Sequence, residues 1–226
     1  MSTLWKTKNY DHHITAPLFT SLEFFANVIP LLEPRVDMLG KVHSRPVIAY
    51  SDAEWSPAAH PPLLPSRGLG GCIWTDDVGR ACSIITPAKV VNSLHIRETQ
   101  IIPLELLAGA GVLATYAKEL RGKEVILLID NQSVCAILTK GISKSRDIQI
   151  LATSWHLLAK EIGCHVWIEW VPSKSNPADI LSREGVSGFK TTTGQIDKML
   201  LPPWSDLRAF GDLRSVIPLI AKFVPK

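Results

Sequence analysis

The chain has 226 residues, 46% of them hydrophobic and 20% charged, which is enough for a sizeable core and excludes disorder or a coiled coil as the main state. Twenty-four Lys and Arg against 21 Asp and Glu leave a net charge of +3, compatible with a polyanionic partner but far from a histone-like tail. Cys72, Cys82, Cys135 and Cys164 stand apart, with no CxxC pair and no His at zinc-finger spacing, so neither a disulfide framework nor a structural zinc is indicated.

Residues 1–8 lack the apolar block of a signal peptide, and Pro103 and Glu105 interrupt the longest apolar stretch, 101–117. A soluble intracellular protein of cytoplasm or nucleus, without a membrane segment, is expected. Residues 1–45 form a helical appendage and connector, with an apolar patch at 17–32 that predicts a helix broken at Pro30. The adjacent His12 and His13 there fit surface positions better than a metal site.

A catalytic domain is expected over 46–185. Residues 47–52 predict a strand, followed by a loop carrying Pro57, Pro61, Pro62 and Pro65. Strands at 70–75 and 80–86, joined by the turn Asp76-Asp77-Val78-Gly79, make an antiparallel hairpin. Pro103 opens a helix to about Leu120, Gly122 ends it, and the apolar run 124–130 predicts a buried central strand. A short helix at 132–138 and a longer one at 146–162, closed by Gly163, precede a fifth strand at 165–171. Asn176, Pro177 and Asp179 then read as cap, first helical residue and first-turn acid of a last helix. The order is βββαβαβα. Residues 186–226 read as a linker and tail, with an apolar helix near 213–223.

Four acidic residues occupy positions that solvated surface carboxylates seldom take. Asp52 ends the first strand on the face of Ile48 and Tyr50. Asp130 ends the central strand, at the carboxyl edge where sheets commonly host ligands. Glu105 lies in the first turn of its helix on a face shared with Ala108, Gly109 and Val112, and Asp179 opens the last helix. Taken singly, each acid is also explained by a helix dipole or a strand end. Gathered in one cleft, four carboxylates repel one another unless cations join them, and they match the charge of two divalent ions. Oxygen-only ligands suit Mg²⁺, and two such ions can activate a water and stabilise the leaving oxygen of a phosphodiester. Phosphoryl hydrolysis is the chemistry this predicts.

The stretches Ile48-Ala-Tyr-Ser-Asp52, Gly68-Leu-Gly-Gly-Cys-Ile-Trp74, Ile102-Pro-Leu-Glu105-Leu-Leu, Leu127-Leu-Ile-Asp130-Asn131 and Trp170-Val-Pro-Ser-Lys-Ser-Asn-Pro-Ala-Asp179-Ile-Leu-Ser-Arg183 resemble ribonuclease H domains. Among these they are most similar to the domains of retroelement reverse transcriptases, of the LTR and DIRS-like type, with the last stretch the most specific. The resemblance spans residues 47–183. It implies an α/β fold of the RNase H-like type: a five-stranded mixed sheet, its first three strands antiparallel, flanked by helices. It implies a metal site at Asp52, Glu105, Asp130 and Asp179 for two Mg²⁺ ions, with Mn²⁺ as a substitute. Asp52 would bridge the ions, Glu105 and Asp130 would serve mainly one, and Asp179 the other. The activity implied is endonucleolytic hydrolysis of the RNA strand of an RNA/DNA hybrid, leaving 3′-hydroxyl and 5′-phosphate ends, with a reverse transcriptase polymerase domain as a partner. Glu105 would also lie near the ribose 2′-hydroxyl. Two departures stand out. Many members carry a His in the loop before the last Asp, where this loop, 172–178, has Lys174 and Asn176 instead. The interval from Asp130 to Asp179 also lacks the additional basic handle of cellular enzymes.

Asn131, Gln132 and Ser133 follow Asp130 and read either as phosphate contacts or as a plain helix cap. Lys174, Asn176 and Arg183, beside the last helix, are nucleic-acid contacts or a solvated face, as are Lys140, Lys144 and Arg146. Gly68, Gly70 and Gly71 suit either close approach of a nucleic-acid backbone or a strand entry. Trp74, Trp155, Trp167 and Trp170 read as core, and Glu54 is an alternative ligand to Asp52. Two competing functions remain at this level: a non-catalytic RNase H-like module that binds nucleic acid or serves as a scaffold, and a DNA-cutting nuclease of resolvase or transposase type on the same fold.

Overall fold

Alternating small and branched residues make Val47–Ala53 (β1) a strand that buries Val47, Ala49 and Ser51 on one face. It lies in the middle of a sheet. The structure, a computed structural model, describes residues 45–56, 68–75, 78–188 and 195–203, with isolated positions 19, 22, 23, 26, 29 and 222. Apart from those positions, the helices expected at 17–32 and 213–223, the adjacent histidines, the proline-rich loop and most of the linker fall outside the described residues. The chain divides into two compact units, Met1–Lys41 and Val42–Lys226, and the sheet belongs to the second.

Gly68–Thr75 (β2) pairs antiparallel with β1, and Val78–Ile85 (β3) antiparallel with β2. Glu124–Ile129 (β4) and His165–Trp170 (β5) extend the other side in parallel, as crossover helices require. The sheet is thus mixed and flanked by helices, as the resemblance implied, but it has six strands rather than five. Gln195–Lys198 (β6), inside the segment expected to be linker and tail, pairs parallel with β3, giving the order β5-β4-β1-β2-β3-β6. Four residues of mixed polarity carry no readable period, and tertiary contacts hold this strand instead. The Arg80 guanidinium donates to Asp197 Oδ2 at 3.1 Å, pairs with Glu119 and lies 5.1 Å from the Tyr116 ring centroid. Met199 is buried beyond the strand, against Gly111.

A single turn, Ala88–Val91 (α1), follows the hairpin, and Ile101–Thr115 (α2) is buried along almost its whole length. The expected helix to Leu120 breaks at Tyr116 (φ −108°, ψ 25°) and resumes as Ala117–Leu120 (α3). It also begins two residues before Pro103, whose missing N–H is harmless in a first turn. Gln132–Lys140 (α4) ends at Gly141 (φ +68°), and Arg146–Ile162 (α5) at Gly163 (φ +76°). Asp147, at the start of α5, is buried and accepts from the His95 N–H, Arg97 and Ser145, pinning the loop before α2. Burial opposes its ionisation, but hydrogen bonds from Ser145, the His95 N–H and Arg97 hold its pKa down to about 2.

Ala178–Glu184 (α6) lies against the other face of β2, and glycines decide how closely. A Cβ on Gly68 would sit 1.7 Å from the Ser182 carbonyl oxygen, and one on Gly70 would sit 2.4 Å from the Ser182 nitrogen. Gly71 faces the opposite helix, where a Cβ would meet Val112 Cγ2 at 2.1 Å. These glycines therefore serve helix packing, and the space a nucleic-acid backbone would need is filled by protein. Trp155 is buried as expected, whereas Trp167 and Trp170, on the edge strand β5, are 68% and 43% exposed. An edge strand has only one neighbour to cover its side chains. Among the described residues, no helix is long and apolar enough to cross a membrane.

Gly70→Ala is expected to destabilise the protein by about 1–3 kcal/mol through overpacking. Urea denaturation measures this, and a loss within experimental error would show that α6 is not seated tightly on β2.

Candidate active site

Asp52 and Asp130 arrive side by side because β1 and β4 are parallel neighbours in register, with Ser51 opposite Ile129. Each carboxylate is the next residue along its strand pair, at the carboxyl edge of the sheet. Glu105 descends onto this edge from the first turns of α2, and the backbone of Ala53 hydrogen-bonds it. The carboxylate oxygens of Asp52, Glu105 and Asp130 reach within 4.8 Å of one another. Glu54, the alternative ligand, is not in that group. Asp179, in the first turn of α6, lines the same cleft but stands outside the triad, where Arg183 Nε donates to its Oδ1 at 2.9 Å.

Three devices hold the triad's backbone and side chains. The Ser182 hydroxyl bonds Asp52 Oδ2 and lies 2.9 Å from the Asp179 carbonyl oxygen. Asn176 donates through Nδ2 to the Ser51 carbonyl at 3.1 Å and accepts through Oδ1 from the Ala178 N–H at 3.1 Å. The Trp170 indole N–H donates to the Asp130 carbonyl at 3.0 Å. Sequence reasoning missed Ser182 and Trp170. The signal for Ser182 was available, since it stands three residues after Asp179 on a helix and is bound to lie beside it. Trp170 gave none, because its partner is a backbone oxygen across the sheet.

The remaining expected residues divide. Asn131 Oδ1 accepts from the Ser133 and Val134 N–H groups at 3.1 and 3.3 Å, so Asn131 caps α4. Gln132 and Ser133 are exposed and line the cleft of about 390 Å³, together with Arg183 and three residues not anticipated, Ala53, Ile101 and Ser173. Asn176 is buried, and its Nδ2 and Oδ1 each make a hydrogen bond inside the protein, so it braces the site from behind. Lys174 is exposed and lines a separate groove with Ile48, Tyr50 and Trp74.

Burial in the wall of this cleft, more than crowding, opposes the ionisation of two of the acids. Burial raises the Glu105 pKa to about 9, with Asp52 and Asp130 adding to the shift. Burial also raises Asp52 to about 7, against the lowering effect of the Ser182 bond. Glu105 Oε2 is buried with no hydrogen-bond partner. An acceptor oxygen left without a donor among three converging carboxylates fits a hard divalent cation. The donor set is oxygen only, and no Cys or His competes within it.

No family model matches the chain, and no curated protein matches it. Among solved structures the chain is similar to RNase H1 from the halophilic archaeon Halobacterium salinarum NRC-1, at 20% identity over 63% of this chain and 98% of that one, with a TM-score of 0.46. It is similar to LC11-RNase H1, isolated from compost by a metagenomic approach, at 16% identity over 64% and 97%, with a TM-score of 0.46. A third is the N-terminal RNase H domain of a Mycobacterium tuberculosis protein, at 20% identity over 62% and 93%, with a TM-score of 0.38.

The raised pKa values set a sign for stability. A carboxyl that ionises less readily in the folded state stabilises the fold fully below its unfolded pKa of about 4, and that contribution is lost as pH rises through the folded value. In metal-free protein, the contributions of Asp52 and Glu105 therefore fade between about pH 4 and the folded values of about 7 and 9. Added Mg²⁺ or Mn²⁺ is expected to raise Tm more at about pH 8 than at about pH 5, because protons compete for the same oxygens. Glu105→Gln should remove most of that difference. Equal increments at both pH values in scanning calorimetry would contradict the site.

Proposed function

We propose that the chain is a divalent-metal-dependent endonuclease that hydrolyses the RNA strand of RNA/DNA hybrids. The observation that carries this reading is the buried, unpartnered Glu105 Oε2 within a triad of carboxylates at the open carboxyl edge of the sheet. A scaffold has no physical use for such a group, since burying an acid without a donor weakens the fold.

In this reading Asp52, Glu105, Asp130 and Asp179 hold the metal, two Mg²⁺ ions with Mn²⁺ as a substitute. Bound there, the cations would supply activation of a water and stabilisation of the leaving oxygen. Attack of water on phosphorus then breaks the bond to the 3′-oxygen, which leaves a 3′-hydroxyl and a 5′-phosphate. The protein's own part is positioning. Ser182 fixes the rotamer of Asp52, Trp170 fixes the backbone of Asp130, and Asn176 ties the loop before α6 to β1. Gln132 and Ser133, which line the cleft, would contact phosphates, and Glu105 would lie near a ribose 2′-hydroxyl, as the motif resemblance implies. Asn131 serves them as a cap, and Lys174 extends the contact surface beyond the cleft. The choice of a hybrid as substrate rests on the motif resemblance, as does derivation from a retroelement reverse transcriptase, which the ending Asn176-Pro-Ala-Asp-Ile-Leu-Ser-Arg183 supports. The four free cysteines, Cys72, Cys82, Cys135 and Cys164, support an intracellular location.

Cleavage of strand-labelled RNA/DNA, RNA/RNA and DNA/DNA duplexes, in Mg²⁺ and in EDTA, tests the proposal. Metal-dependent cutting of only the hybrid's RNA strand is expected, and Asp130→Asn should reduce it by more than about 100-fold while hybrid binding persists. Cutting of DNA duplexes, or an Asp130→Asn variant at wild-type rate, would overturn it.

A further inference from the structure

Asp179 belongs to the cleft but not to the converging triad, and Arg183 is the group that holds it. The two lie one helical turn apart on α6, the Nε–Oδ1 distance is 2.9 Å, and the guanidinium also acts electrostatically on Asp52 and Glu54. Arginine cannot shed its charge in a protein, so a permanent cation stands in a cleft of acids whenever no metal is there.

Neighbouring positions on α6 hold their carboxylates in different ways. Ser182 is buried, and its backbone rests on Gly68 and Gly70, so its bond to Asp52 is fixed by the seating of the helix. The Arg183 side chain is 60% exposed and that of Asp179 is 35% exposed, and an exposed pair of this spacing is weak. Since the backbone of α6 is locked against β2, Asp179 can change partner only by side-chain movement. A long, solvated guanidinium stem permits that movement.

We propose that Arg183 is a positioning residue that occupies Asp179 as an internal counter-ion in the metal-free protein and competes with a divalent cation for it. This rests on the metal-dependent reading given above. The competition reduces repulsion within the cleft before metal arrives, and it makes metal uptake at Asp179 depend on the departure of Arg183. The same arginine thereby weakens cation binding by its charge and by direct occupancy.

The test is Mn²⁺ binding to the full chain without nucleic acid, by titration calorimetry and by loss of the free-ion paramagnetic resonance signal. Two neutral replacements, Arg183→Gln and Arg183→Met, are compared with Arg183→Lys, each checked for folding by circular dichroism. Both neutral variants are expected to bind Mn²⁺ about two- to fivefold tighter than wild type, and Arg183→Lys to stay close to wild type. In an Asp179→Asn background the gain should shrink to less than about 1.5-fold, because the shared partner is gone. Equal affinity of wild type and the neutral variants overturns the proposal, as does an undiminished gain in the Asp179→Asn background, which would mark Arg183 as a diffuse charge only. Wild-type protein that takes up no Mn²⁺ overturns both this proposal and the nuclease reading, whereas uptake without coupling overturns this one alone.

Discussion

The backbone of Ser182 rests on Gly68 and Gly70, with no room for a Cβ between helix and strand. From that contact follow the reach of the Ser182 hydroxyl to Asp52, the burial of Leu181 beside Cys72 and Ala81, and the entry of Asp179 into the cleft. On the opposite face Gly71 does the same for α2, whose Val112 would meet a Cβ there at 2.1 Å. Both helices that bring acids to the sheet therefore depend on missing side chains in one strand. Glycine weakens a strand interior on its own, and here the close helix contacts offset that weakness.

Two carboxylates of equal exposure show what distinguishes a structural acid from one that awaits a ligand. Glu105 and Asp147 are each 2% exposed. Asp147 accepts from Ser145, a backbone N–H and an arginine, and these donors more than offset its burial. Glu105 has the Ala53 backbone and otherwise only other acids, so burial prevails and its pKa moves the opposite way. Position in the fold matters as well: Asp147 ties two chain segments together, while Glu105 faces an open cleft. Burial alone says little about the role of a charged group, and the donors around it say much.

The parts of this arrangement that sequence patterns reach are those governed by local rules. The glycine stop at Gly163, the apolar run of β4 and the asparagine cap before α6 each have a backbone cause within a few residues. Of the four acids singled out, Asp52, Glu105 and Asp130 converge, and each stands near the end of such an element. What stayed hidden depends on contacts distant in sequence. β6 exists because Arg80 and the Gly111 space hold it, and the exposure of Trp167 and Trp170 depends on β5 being an edge. Asn176 shows the limit most clearly. The same side chain reads as cap or as ligand contact in sequence, and only the structure shows it buried and bonded to Ser51 on the central strand.

The bond between Asp52 and Ser182 joins residues 130 positions apart. At ribosomal speeds of about 5–20 residues per second, the first strand waits on the order of ten seconds for the helix that completes its surroundings. During that interval the nascent chain carries a glycine-rich hairpin with one face uncovered, a species prone to pairing with other chains and suited to chaperone binding. Asp179 and the Ser182 hydroxyl cannot join the cleft before α6 emerges and docks. Any catalytic competence therefore waits for the synthesis of α6, and a truncated translation product ending before residue 178 would lack Asp179 and Ser182.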